Sequence, residues 1–110
     1  MRNSETTKLK NKQLRTLKAV ASPVRLDILE YLKNPTVHFP AQVDGDPVND
    51  GVCADFIRDK LGIAAATASR HLTLLTGVGL LLAKRKKGWT FYRRDDKAIR
   101  LFAKQLHFDL

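Results

Sequence analysis

Basic side chains without acidic neighbours mark the second half of this 110-residue chain. Eight Lys or Arg residues and no Asp or Glu lie between Lys60 and Arg94. Such cations bind phosphate oxygens, and each phosphate that they neutralise releases condensed counterions. The net charge of +9 favours a polyanionic partner in the same way. The chemistry predicted from these residues is electrostatic binding of nucleic acid.

The first element that carries these residues is a helix predicted to begin near Ala64. Its inner face is formed by Ala68, Leu72 and Leu75, which recur at helical spacing. The side chains left toward solvent or DNA are small, polar or basic: Thr67, Ser69, Arg70, His71 and Thr73. A helix with such an outer face suits the major groove of DNA. For His71, a hydrogen bond in the core and a contact with phosphate both remain open.

The second element is a strand, a basic turn and a strand within residues 80–94. Four cations follow one another at the turn: Lys84, Arg85, Lys86 and Lys87. Four adjacent like charges repel one another, so we expect them to contact the phosphate backbone of DNA. Trp89, Phe91 and Tyr92 are predicted to form the apolar core of this hairpin.

The elements before residue 60 are predicted to support the DNA-binding pair. Apolar residues at roughly helical spacing predict one amphipathic helix up to Ala21, and Ser22-Pro23 predicts the start of a second helix that ends near Lys33. A third helix is predicted from Gly51 to Lys60, with Gly62 as its stop. A tight turn then leads to the helix near Ala64, which gives a helix-turn-helix.

Residues 34–50 hold three prolines and several acids and are predicted to form a long loop, whose role remains open. The acids are interpreted as turn formers and helix caps. They do not match a calcium-binding loop, because Asn49 stands where glycine would be required, counting from Asp44.

The two ends of the chain are predicted to hold a dimer together. Residues 1–8 are polar and are expected to form a mobile arm, followed by a single domain over residues 9–110. The apolar stripes of the first and last helices exceed what one small core needs, so we expect them to form a dimer interface. The residues of this predicted interface are Leu9, Leu14, Leu17, Ile99, Phe102 and Leu106.

Composition and motif spacing argue against other classes of protein. The chain has no apolar run near the ~20 residues that span a bilayer, and its N-terminus lacks the apolar core of a signal peptide, so we expect a cytoplasmic protein without a membrane partner. One cysteine is consistent with a reducing compartment. His38, His71 and His107 lie in separate elements and Cys53 has no identifiable base, so we expect no catalysis and no cofactor.

Three segments together resemble one known family. They are Ala21-Ser22-Pro23-Val24-Arg25-Leu26-Asp27-Ile28-Leu29, Ser69-Arg70-His71-Leu72-x-Leu74-Leu75-x-x-x-Gly79-Leu80 and Lys87-Gly88-Trp89-Thr90-Phe91-Tyr92-Arg93. They are similar to the ArsR/SmtB family of bacterial and archaeal repressors. The resemblance implies a mainly α winged helix-turn-helix with a small β-hairpin (α-α-α-α-β-β-α). It also implies a homodimer that binds a palindromic operator in double-stranded DNA and blocks transcription.

The chain departs from the metal-sensing members of that family at Cys53. Those members carry two cysteines in the third helix, and the matching positions here are Cys53 and Asp55. One thiolate with one carboxylate is a poor site for a soft metal, so no metal ligand is predicted. Cys53 is interpreted first as a small half-buried hydrophobe, and a sensor of oxidants or reactive sulfur or a metal ligand are the alternatives. A winged-helix protein-interaction module is the other open function.

The residues leave several points undecided. Asp27, Glu30 and a phosphate are all open as partners of Arg25. The effector, the operator and the regulated genes are also open.

Overall fold

Six helices and a small antiparallel sheet make up the described part of the chain. This is a computed structural model, and it describes residues 9–110; the predicted arm, residues 1–8, lies outside the described residues. The elements are α1 (Asn11–Val20), α2 (Pro23–Lys33), α3 (Pro35–His38), β1 (Val52–Cys53), α4 (Ala54–Leu61), α5 (Ala65–Gly77), β2 (Leu81–Lys86), β3 (Trp89–Arg94) and α6 (Asp96–Asp109). The mainly helical winged helix-turn-helix predicted from the sequence is confirmed.

Local signals set the ends of several helices as predicted. The Ser22 hydroxyl accepts a hydrogen bond from the backbone N–H of Arg25 at 3.3 Å, and Pro23 occupies the first position of α2. Gly62 ends α4 in the left-handed conformation, with φ of +67°. The turn after Gly62 leads into α5, so α4 and α5 form the helix-turn-helix.

The structure corrects the prediction of a helix from Gly51 to Lys60. Residues 52 and 53 form β1, and α4 begins only at Ala54. Val52 pairs with Tyr92 and Cys53 with Phe91, so β1 joins the β2–β3 hairpin in a sheet of order β1-β3-β2. The hydrogen bonds of this pairing outweigh the helical tendency of the segment, which a single short stretch of sequence does not reveal.

Helix α3 is a second element that the sequence pattern did not predict. Its four residues, Pro35–His38, form one short helical turn at the start of the predicted loop. Residues 39–51 follow without helix or strand, and we call them the 39–51 loop.

The core lies between α2, the helix-turn-helix and the sheet. Ile28, Leu32, Ile57 and Leu72 are fully buried or nearly so, and Phe91 of β3 is 2% exposed. The predicted inner face of α5 is confirmed, since its buried side chains are those of Ala68, Leu72 and Leu75. Each of α2, α4, α5 and the sheet therefore contributes to one apolar cluster that fixes their relative positions.

Gly51 is the residue that allows the loop to enter β1. Its φ is +108°, and a Cβ atom at this position would lie 2.4 Å from the backbone carbonyl carbon and oxygen of Tyr92. A side chain here would be strained and would push β1 away from β3. The close approach of the two strands therefore depends on glycine.

We predict that Gly51→Ala destabilises the fold by about 1–3 kcal/mol, because it adds backbone strain and a clash with β3. Gly77→Ala is the matched control: a Cβ at Gly77 meets nothing within 4 Å, and alanine favours helix, so this variant should be neutral or more stable by about 0.5–1 kcal/mol. Urea unfolding followed by far-ultraviolet circular dichroism measures both. Equal free energies of unfolding for the two variants would contradict the role given to Gly51.

Candidate nucleic-acid interface

The outer face of α5 is polar and exposed. Ser69, Arg70 and Thr73 are exposed, whereas Thr67 and His71 lie half-buried at the edges of that face. α5 carries no Asp or Glu, and no side chain caps its N-terminus at Ala64. The free amides at this end carry a partial positive charge. The exposed face and the start of α5 therefore both attract anions.

Arg25 contacts His71 rather than either of the acids considered from the sequence. In the described part of the chain it forms no ion pair with Asp27 or Glu30. Its Nη1 lies 2.9 Å from Nδ1 of His71, and its Nε donates to the carbonyl of Ala19. Burial lowers the pKa of His71 below 6.5, and the positive charges of Arg25 and Arg70 lower it further. His71 is therefore a neutral imidazole near pH 7.

The wing is the β2–β3 hairpin, and its tip turns over two residues. Lys86 pairs with Trp89, so Lys87 and Gly88 form the turn, with φ of +52° and +81°. Two consecutive positive φ values are those of a type I′ turn, which matches the twist of the flanking strands. The predicted hairpin is confirmed, but of the four cations expected at its turn only Lys87 lies there, and Lys84, Arg85 and Lys86 lie in β2. Phe91 is buried as predicted, but Trp89 remains 46% exposed.

The wing lysines meet carboxylates that are distant in sequence. Asp50 is 5% exposed, and its carboxylate accepts hydrogen bonds from Nζ of Lys84 and, at 3.2 Å, of Lys86. Asp44 lies 3.8 Å from Nζ of Lys87. The 39–51 loop therefore brings acids across the wing, and these acids offset part of the repulsion from which the phosphate contact was predicted.

The environment of Asp50 keeps it ionised. The hydrogen bond from Lys84, the backbone N–H of Asp46 and the hydrogen bond from Lys86 hold the pKa of Asp50 well below its usual range. Asp46 has the predicted role of turn former, since its carboxylate accepts from the backbone N–H groups of Val48 and Asn49. Asp50 shares this role, because its carboxylate accepts from the backbone N–H of Asp46 at 2.9 Å, and it also binds the wing.

Gln42 fastens the 39–51 loop to β1. Its side-chain oxygen accepts from the N–H of Cys53 at 2.7 Å, and its amide nitrogen donates to the carbonyl of Gly51 at 2.9 Å. The contacts of Asp50 with the wing and of Gln42 with β1 were not predicted from the sequence, because neither residue type signals a partner far along the chain.

The eight basic residues of the 60–94 segment differ in what they contact. Lys60 lies over the ring of Tyr31, 5.1 Å from its centre, and Arg94 donates to the carbonyl of Leu29 at 3.0 Å. Lys84, Lys86 and Lys87 face acids of the loop. Of these eight, four form no ion pair with any of residues 9–110: Lys60, Arg70, Arg85 and Arg93. Arg85 donates instead to the Thr90 hydroxyl at 3.1 Å, across the hairpin.

Cys53 lies in β1, at the start of α4, and is 7% exposed. The sequence placed Cys53 in the third helix, but the structure places it in β1, where its side chain is buried. Its side chain lines an open cavity of about 370 Å³, together with Gln42, Val43, Asp44, Asp55, Phe56, Trp89 and Phe91. No group of three or more His, Cys, Asp or Glu residues that could hold a metal ion occurs within residues 9–110.

A groove lies between α1, α6 and residues 78–80, and of the predicted dimer residues only Phe102 lines it. Leu9, Leu14, Leu17, Phe102 and Leu106 are half-buried, and Ile99 packs against the core of its own chain. α6 has no buried side chain, and two apolar residues that the prediction omitted, Leu101 and Phe108, are 55% and 87% exposed. Their spacing of seven residues was a signal that could have identified them. The groove has a volume of about 780 Å³.

None of the helices within residues 9–110 has the length and apolar character needed to cross a membrane.

Sequence comparison identifies a relative of known class. No family model matches the chain. The uncharacterized HTH-type transcriptional regulator YbzH of Bacillus subtilis is 41% identical over 86 residues, which are 78% of this chain and 86% of YbzH.

Solved structures share the fold over most of its length. The solution structure of a homodimeric winged helix-turn-helix DNA-binding domain from Mycobacterium bovis, a possible ArsR-family transcriptional regulator, has a TM-score of 0.63 at 27% identity and covers 97% of this chain and 86% of its own. A crystal structure of a possible transcriptional regulatory protein from the same organism has a TM-score of 0.62 at 28% identity, covering 91% and 94%. NolR from Sinorhizobium fredii, with a TM-score of 0.63, covers 98% and 94%; at 18% identity it supports the fold alone.

We predict that Asp50→Asn lowers stability at neutral pH and that the loss shrinks in acid. The folded-state pKa of Asp50 is depressed, so its contribution is fully present above the ordinary value of 3.8 and is lost as pH falls below it. Urea unfolding should therefore show the largest difference between native and variant at pH 6 and a smaller one at pH 3, because the contribution is lost progressively as pH falls from 3.8 through the depressed folded-state pKa.

Asp59→Asn is the control for this comparison, because Asp59 is an exposed carboxylate 3.6 Å from Arg58. An exposed pair of this kind contributes little. If Asp50→Asn and Asp59→Asn have the same effect at both pH values, Asp50 does not hold the wing.

Proposed function

Because this chain belongs to the ArsR family of winged helix-turn-helix transcriptional regulators, we propose that it is a repressor that binds a palindromic operator as a homodimer. In this proposal α5 enters the major groove and the wing contacts the neighbouring phosphate backbone. The single observation that carries it is the exposed face of α5, which bears Arg70 among small polar residues and has no acid. Such a face has no role in the core of its own chain.

On α5, Arg70 is proposed to contact a base and its neighbours to fix the helix in the groove. Arg70 is exposed and forms no ion pair within the described residues, so the N–H groups of its planar guanidinium are available to donate hydrogen bonds to a guanine. Ser69 and Thr73 flank it on the same exposed face, with Thr67 at the edge. Their short hydroxyl side chains suit base edges and phosphates alike.

On the wing, the four cations are proposed to bind phosphates, but unequally. Arg85 lies on the strand face opposite Lys84 and Lys86 and has no carboxylate partner among residues 9–110. Lys87 is 69% exposed and lies 3.8 Å from Asp44. Lys84 and Lys86 share the carboxylate of Asp50, so part of their charge is already neutralised. Arg85 and Lys87 are therefore assigned the larger phosphate contributions.

The proposed homodimer rests on the uncovered apolar face of α1 and α6. Leu101 and Phe108 line the groove between these helices and are exposed to solvent. Burying such a face against a second copy is favourable, and the relative from Mycobacterium bovis is a homodimer. A two-fold dimer presents two α5 helices, and its symmetry requires an operator with two inverted half-sites.

Release from DNA is proposed to follow oxidation or sulfuration of Cys53. The thiol lines an open cavity whose walls come from the 39–51 loop, α4 and the wing. Peroxide would convert the thiol to a sulfenic acid with release of water, and a persulfide donor would transfer its outer sulfur atom to the thiol and leave as a thiol itself. Either product adds a polar group where β1 and β3 pair, and so would shift the wing relative to α5. A metal-responsive repressor remains the alternative.

A protein-interaction module is the second candidate function. The carboxylates around the wing lysines favour it, because they neutralise part of the basic segment without nucleic acid. Arg70 and Arg85 nevertheless remain available for an anionic partner. The salt dependence of DNA binding separates the two functions, since only a DNA-binding protein loses affinity steeply as salt rises.

We predict that Arg70→Ala reduces discrimination between operator and scrambled duplex by about 1–3 kcal/mol, because a bidentate contact with guanine is lost. Arg85→Ala should weaken binding to both duplexes and lower the salt slope by about one unit. Lys33→Ala, a loss of charge at the far end of α2, is the control and should change neither quantity. Fluorescence anisotropy at several salt concentrations measures all three. A changed specificity ratio for Arg85→Ala, with none for Arg70→Ala, would reverse the two assignments.

We predict that peroxide or a persulfide donor abolishes operator binding by the native protein but not by Cys53→Ala. The variant lacks the only cysteine, so no other thiol reacts. Operator binding is measured before and after treatment, with mass spectrometry of the product, and zinc and arsenite are titrated in parallel. Equal loss in both proteins would exclude Cys53 as the sensor. Release by zinc in the native protein alone would favour the metal-responsive alternative.

A further inference from the structure

Arg25 joins three helices at the edge of α5. It lies in the first turn of α2, where Ser22 caps the helix. Its Nε donates to the carbonyl of Ala19, near the end of α1, and its Nη1 lies 2.9 Å from Nδ1 of His71. The guanidinium therefore has a fixed position between the end of α1 and the side of α5.

The hydrogen bond between Arg25 and His71 selects one form of the imidazole. A guanidinium only donates hydrogen bonds, so Nδ1 of His71 must accept. A neutral imidazole whose Nδ1 accepts carries its proton on Nε2. Burial and the charges of Arg25 and Arg70 keep His71 neutral by lowering its pKa. His71 therefore has one N–H donor, on the ring nitrogen away from Arg25.

The position of His71 makes a phosphate the natural partner of that donor. It follows Arg70 in the chain but is half-buried at the edge of the exposed face of α5, on the side of α2. When a helix lies in the major groove, its edges face the phosphate backbones that border the groove. The N-terminus of the 11-residue helix α2, with its positive dipole end, is on the same side.

We propose that Arg25 is a positioning residue for DNA binding, which holds His71 as an Nε2–H donor directed at a backbone phosphate. This inference rests on the proposed function, because it assumes that α5 lies in the major groove. It gives Arg25 a role in DNA binding in addition to its position in the first turn of α2. It also makes His71 a neutral phosphate ligand, in contrast to the charged residues of the wing.

The first test needs no DNA. Long-range proton–nitrogen NMR correlation at pH 7.5 reports which ring nitrogen of His71 carries the proton. The native protein should show the Nε2–H form alone, and Arg25→Met should show a mixture of both forms. A native protein with its proton on Nδ1, or a variant with an unchanged ring, would overturn the inference.

The second test uses a duplex selected by the native protein from a random library. Arg25→Met and His71→Ala should each weaken binding by about tenfold, the scale of a hydrogen bond to a charged group. The double variant should be no weaker than either single one, because both remove the same contact. Additive losses, or native-like binding by Arg25→Met, would overturn the inference.

Salt dependence and specificity distinguish the neutral phosphate contact from other roles. His71→Ala should leave both the salt slope and the preference for the selected duplex unchanged, whereas Lys87→Ala should lower the slope by about one unit. A lower slope for His71→Ala would mean a charged imidazole, and a lost preference would mean a base contact; either result contradicts the proposal.

Lys33→Met controls for loss of a cation from α2, and thermal melting of each variant controls for folding. Lys33→Met should bind the selected duplex like the native protein. A fivefold or larger loss in this control would contradict the assignment, since charge alone would then explain Arg25→Met. If the native protein selects no duplex at all, the proposed function fails, and this is distinct from native binding that Arg25→Met leaves intact.

Discussion

The buried carboxylate of Asp50 is the interaction on which the arrangement of the wing depends. It binds two lysines of β2 on one side and the backbone of Asp46 on the other. The 39–51 loop is thereby fixed across the hairpin, and it continues into β1, which pairs with β3 and leads directly into α4. The 39–51 loop and β1 therefore connect the wing to the helix-turn-helix, and hydrogen bonds hold this short stretch of chain in place. A buried charge without its partners would be costly, so the loop and the lysines stabilise each other's positions.

This arrangement changes how the basic segment acts. A row of four cations looks like a uniform phosphate-binding tip, yet the structure divides it into lysines that face the loop and an arginine that faces away. The lysines that contact Asp50 contribute first to the geometry of the wing, and only their remaining charge is available to DNA. The arginines of α5 and of the opposite wing face keep their full charge. We infer that the arginines supply most of the affinity for DNA, whereas the lysines that contact Asp50 fix the geometry of the wing.

The parts that sequence predicted correctly are those with local causes. The inner face of α5 follows from the spacing of Ala68, Leu72 and Leu75, and the start of α2 follows from Ser22 and Pro23. The parts that it could not predict depend on partners far along the chain. β1 has only two residues and no period of its own, and the bonds from Lys84 to Asp50 and from Arg25 to His71 span 34 and 46 residues. Such pairs carry no local signal, so only the folded chain reveals them.

We propose that two α5 helices of a symmetric dimer lie in successive major grooves with the wings on the outer backbone. This arrangement can be tested by a hydroxyl-radical footprint on a duplex selected by the native protein. We expect two symmetric protected regions on one face of the DNA, separated by one helical turn of about 10 base pairs or a whole multiple of it, with weaker protection outside each region. A single asymmetric protected region, or uniform protection without a repeat, would contradict it.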